Sequence, residues 1–78
     1  MPGPSTIWIY RVDPREIHYL KFVLEAYDGM ATLTTLDART GLIQVSVPPG
    51  AQPAARTLME VLGWELGLTR LRMEEDRW

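Results

Sequence analysis

Cysteine is absent from this chain and histidine occurs once, at His18. Without thiols neither a disulfide nor a thiolate metal site can form, and one imidazole falls short of a structural zinc ligand set. Long apolar runs are missing too. The longest is a handful of residues, far below the ~20 that a membrane-spanning helix needs. The opening Met1-Pro-Gly-Pro-Ser-Thr6 has no basic stretch and no apolar stretch, so no secretory signal is expected. Nor does one sign of charge dominate: eight Lys and Arg stand against ten Asp and Glu, giving a net charge of −2. That balance supplies no electrostatic footprint for nucleic acid or an anionic membrane. These absences together predict a cytoplasmic protein.

Catalytic signatures are equally scarce. The chain carries no G-x-G-x-x-G, no phosphate-binding loop and no H-E-x-x-H. His18 shares a polar helical stripe with Lys21 and Glu25 and has no serine or cysteine beside it to activate, so it reads as a solvated position. The expectation is a protein that is not an enzyme and uses neither cofactor nor metal.

What is present is a folded domain's composition, 46% apolar and 23% charged. At 78 residues there is room for one domain. A chain of this size buries only roughly 60% of the surface its unfolded form exposes. Small domains make up such a deficit with disulfides, a metal or a partner subunit. Only the partner is open to this one, and a homo-oligomer, most simply a two-fold dimer, is expected.

Residues 1–4, with two prolines and a glycine, read as a flexible lead-in, residues 5–74 as the domain, and residues 75–78 as a frayed tail. Ile7 to Val12 is β-branched and aromatic, hence a strand, and both of its faces are largely apolar, as in the centre of a sheet. Asp13-Pro14-Arg15-Glu16 has the spacing of a capping box: Asp13 as N-cap, Pro14 at the first helical position, Glu16 answering back. The helix it opens is predicted to run to about Tyr27 and to stop at Asp28-Gly29. Met30 to Leu36 and Leu42 to Val47 read as strands joined by a hairpin in which Gly41 takes positive φ. A second helix, with Pro53 near its start and Gly67 at its end, precedes a last strand, Leu68 to Glu74. Gly63 inside that helix costs about 1 kcal/mol against alanine, and close approach of the first helix is the predicted reason.

The element order βαββαβ predicts a ferredoxin-like α+β two-layer sandwich with antiparallel sheet order 4-1-3-2. Its predicted core is Ile17, Leu20, Leu24, Tyr27, Ile43, Val45, Val47, Leu58, Val61, Leu62, Leu71 and Met73. The first helix is apolar over about twice the arc that packing on a sheet requires. That surplus, Tyr19 and Phe22, together with Ile7 and Ile9 on the sheet, is the predicted oligomer interface.

Two further surfaces invite ligands. The start of the first helix brings together Arg11, Asp13 and Arg15, where free amides and two guanidinium groups could hold a small anionic ligand. Alternatively Arg11, Arg70 and Arg72 line an open sheet face, the surface with which RNA-recognition domains of this topology bind. The third strand, Leu42 to Val47, lacks the aromatic pair those domains use, and nucleic acid is not the expected partner.

The element order is similar to that of ACT-type domains, and this resemblance implies a dimeric regulatory or ligand-sensing module with its effector at the first strand-to-helix loop. Those domains usually carry a glycine in that loop, where this chain has Pro14. The strings Val12-Asp13-Pro14, Phe22 to Gly29, Thr35-Leu36-Asp37 and Val47-Pro48-Pro49 resemble a family of small bacterial domains of unknown function, over residues 7 to about 72. That likeness implies the ferredoxin-like architecture and brings no activity. A structural protein-interaction subunit without any ligand is the alternative.

Overall fold

A computed structural model describes residues 6–27 and 30–75, with side chains as far as Leu71. The lead-in at 1–4, the Asp28-Gly29 stop, the tail beyond Glu75 and the Met73 side chain lie outside the described residues. The elements are β1 (Thr6–Arg11), a 3-10 turn (Pro14–Glu16), α1 (Ile17–Ala26), β2 (Thr32–Asp37), β3 (Leu42–Val47), α2 (Gln52–Leu66) and β4 (Thr69–Glu75). β4 thus extends into the segment expected to fray, with Glu75 opposite Thr6 in the ladder.

The four strands form one antiparallel sheet in the order β2-β3-β1-β4. Read from the opposite edge this is 4-1-3-2. β1 lies inside the sheet between β3 and β4.

Period-two alternation decides which face is buried. Trp8 and Tyr10 from β1, with Val12 just beyond it, join Ile43, Val45 and Val47 from β3 in one cluster with Leu20 and Leu24 of α1 and Ala55, Met59 and Leu62 of α2. Both helices therefore cover the same side of the sheet. The other side carries Ile7, Ile9 and Arg11 opposite Ser46, Gln44 and Leu42.

Three predicted core residues, Tyr27, Val61 and Leu71, are instead about half exposed. Tyr27 falls beyond the end of α1, in non-helical backbone. On α2 the buried stripe is Ala55, Met59 and Leu62, at i, i+4 and i+7, so Val61 turns outward while Leu58 and Leu66 pack at the edge. Leu71 occupies a bulge described below. Gly63 is not a helix-helix contact either: a Cβ there would meet nothing within 4 Å.

The first helix begins later than its capping signal implies. The Asp13 carboxylate accepts from the Arg15 amide at 3.0 Å, and the Glu16 amide donates to the Asp13 carbonyl at 2.8 Å. This closes a 3-10 turn before α1 starts. Glu16, now the N-cap of α1, makes no side-chain cap bond. The Arg15 guanidinium instead holds the Asp13 carboxylate, with Nε and Nη2 donating to it at 3.3 and 3.0 Å.

The β2–β3 hairpin is pinned more firmly. Asp37 accepts the Arg39 amide on its side chain at 3.0 Å and the Gly41 amide on its carbonyl at 3.0 Å. Gly41 has φ +79° and its carbonyl takes the Val12 amide at 3.0 Å, tying the hairpin to the end of β1. No helix among the described residues is long and apolar enough to cross a membrane.

Candidate functional site

On α2 the residues Arg56, Met59, Glu60 and Gly63 recur at i, i+3, i+4 and i+7, so they form one stripe on the helix surface. That stripe faces β1 and the start of β4 across a cleft of about 300 Å³, lined by Trp8, Tyr10, Arg56, Met59, Glu60, Gly63, Leu68 and Arg70. Two features of the backbone make room for it. Gly63 contributes no side chain where a Cβ would find open space. A register shift between Ile9 and Tyr10 then places Arg70 opposite Tyr10 and Arg72 opposite Ile9, leaving Leu71 as the extra residue of a bulge.

The bulge corrects the predicted arginine face. An extra residue moves what precedes it to the other side of the sheet, so Arg70 lines the cleft on the helix-covered side. Arg11, opposite Thr69, belongs to the open side. Arg11 and Arg70 therefore share no surface. Arg72 stands opposite Ile9 in the ladder, and its side chain is outside the described residues.

The floor of the cleft is aromatic and chemically unfinished. Trp8 is fully buried, and its Nε1 is a buried donor with no hydrogen-bond partner among the described residues. An indole N–H can only donate, and leaving one buried and unpaired costs about 1–3 kcal/mol. The Tyr10 phenol is also buried. Desolvation raises its pKa above the ordinary value, against the opposing pull of the nearby Arg70 and Arg56 and with a small push from Glu60. It therefore stays protonated at neutral pH and keeps an O–H to donate. Arg56, Glu60 and Arg70 are exposed on the walls, and the one ion pair among the described residues lies elsewhere, between Arg15 and Asp13.

That pair occupies the other predicted ligand site. Asp13 and Arg15 are brought together, but they are bonded to each other through two guanidinium nitrogens and a backbone amide. The Arg15 hydrogen bonds hold the Asp13 carboxyl below its usual pKa. Arg11 lies on the exposed end of β1.

The predicted interface residues divide in the same way. Ile7 and Ile9 sit half-buried on the open side of the sheet, while Tyr19 and Phe22 are exposed on α1, in the opposite layer. The largest exposed aromatic among the described residues, Trp64, is absent from the predicted interface; it stands at 91% exposure on α2 beside Gly63. The Arg56-x-x-x-Glu60-x-x-Gly63 spacing was legible as a helical stripe. Its facing residue Arg70 was not, because a bulge carries no sequence signal of comparable strength.

No curated protein and no solved structure matches the chain. Residues 10–65, well over half of its length, match the family model described as Domain of unknown function (DUF4911), and the chain belongs to that family.

Proposed function

We propose that this chain is a non-enzymatic ligand-sensing module of ferredoxin-like architecture, and that its ligand sits in the cleft between α2 and the β1–β4 pair. The observation that carries this reading is the cleft floor: a buried aromatic pair in which the Trp8 Nε1 has no partner among the described residues, beside open space left by Gly63. A folded domain that leaves a donor unsatisfied gives up stability at that place, and such concessions concentrate at functional sites. At the start of the first helix, where an ACT-type effector would bind, Asp13 and Arg15 are already bonded to each other.

A thermal-shift screen with small organic acids tests this reading. A ligand at ten times its Kd should raise Tm by roughly 5–10 °C for a domain of this size. Gly63→Leu, which fills the cleft from its helix wall, should abolish the shift, and Gly63→Ala should keep most of it. A shift unchanged in Gly63→Leu but lost on Arg11→Ala or Arg15→Ala would place the ligand at the helix start and contradict the proposal.

A second reading, a homodimeric interaction subunit, is favoured by the 69% exposure of Phe22 and the near-complete exposure of Trp64. Large exposed aromatics are the residues that most often anchor interfaces. Light scattering coupled to gel filtration should then give twice the chain's 8.9 kDa, falling to one chain in Phe22→Asp or Trp64→Asp. A wild-type chain that elutes at the mass of a single copy contradicts the dimer.

A further inference from the structure

We infer that the cleft takes a small monocarboxylate with an apolar body. The inference rests on the cleft being the binding site and adds the class of ligand it selects.

The balance of donors and acceptors points that way. Arg56, Arg70 and the Tyr10 O–H donate, with the buried Trp8 N–H beneath them, while Glu60 is the one charged acceptor among the described lining side chains. A ligand that satisfies this set must be rich in acceptors. Two guanidinium groups against one carboxylate leave a net charge of +1, which a monoanion neutralises. Arginine presents its donors as a planar fork that matches the two oxygens of a carboxylate. Neither guanidinium is held in an ion pair among the described residues.

The rest of the lining is apolar: the Trp8 ring, Met59 and Leu68, with no side chain on Gly63. A bare oxyanion would leave most of the cleft to water, whereas a hydrocarbon or aromatic body would fill it against the half-buried Leu68 and Gly63. The volume, about 300 Å³, lies at the small end of ligand sites. The acid is therefore the size of a simple metabolite.

Titration calorimetry on the whole chain with benzoate, benzamide and inorganic phosphate tests the class. Benzoate should bind. Benzamide, which has the same body without the charge, should bind at least about tenfold more weakly, and phosphate likewise. Arg56→Gln and Arg70→Gln should each weaken benzoate about tenfold, while Glu60→Gln should tighten it severalfold by removing a like charge. That opposite sign on exposed positions is not what a structural role would give. Benzamide binding as tightly as benzoate, with both lost in Gly63→Leu, overturns the carboxylate assignment and leaves the cleft in place. Phosphate binding as tightly as benzoate overturns the apolar body. Benzoate binding that survives Gly63→Leu overturns the cleft itself, and absence of benzoate binding at millimolar concentration overturns the inference.

Discussion

Gly41→Ala is expected to destabilise the chain by about 3–5 kcal/mol, the largest loss among the described glycines. Two costs add at this position. Gly41 has φ +79°, where an L side chain is strained, and an added Cβ would lie 1.7 Å from the Val12 carbonyl oxygen. That oxygen belongs to backbone held by the Val12 amide bond to Gly41 itself, so neither side can retreat without breaking the tie between hairpin and β1. Gly50→Ala separates the two costs. Gly50 has φ +86° but open space around it, so its loss should be only about 1–2 kcal/mol. Urea unfolding of both variants checks the difference. Equal losses would mean that conformation alone sets the cost and that the Val12 contact is unimportant.

Trp8→Ala should cost about 3–5 kcal/mol, a large share of the roughly 4–12 kcal/mol expected for a chain of this length. Trp8 is fully buried on a central strand, between Val45 and Met73 in the ladder. Truncation leaves a cavity in the cluster that the sheet shares with both helices. Trp8→Phe is the informative partner. It also loses volume, but it removes the unpaired Nε1, and the desolvation cost recovered offsets part of the cavity cost. Its loss should stay within about 2 kcal/mol. Thermal and chemical unfolding of both variants measure this. A Trp8→Phe loss equal to that of Trp8→Ala would show that the indole N–H is satisfied in solution.

The architecture was legible because several local signals agreed. Alternation in Ile43, Val45 and Val47, the helix stop at Gly67 and the positive φ of Gly41 each follow from residue chemistry at one place. Strand order followed from handedness, which needs no residue detail. The buried face of β1 was harder to read, since Ile7 and Ile9 are as apolar as Trp8 and Tyr10, and only the packing of both helices on one side decides it. The candidate site was the least visible part. Its two arginines come from α2 and from a strand whose register slips by one residue, so Arg56 and Arg70 meet only after a bulge that the sequence does not announce. Asp13 and Arg15, by contrast, stand out in the sequence because they are neighbours, and that same proximity lets them satisfy each other.

The most direct measurement of the cleft's role is a residue-by-residue map of amide and indole chemical shifts as the 78-residue chain is titrated with benzoate. The account predicts saturable changes at the Trp8 indole and at Tyr10, Met59, Gly63 and Leu68, with Arg11, Asp13 and Arg15 unmoved. Changes centred on Asp13 and Arg15, with the Trp8 indole resonance fixed, would contradict it.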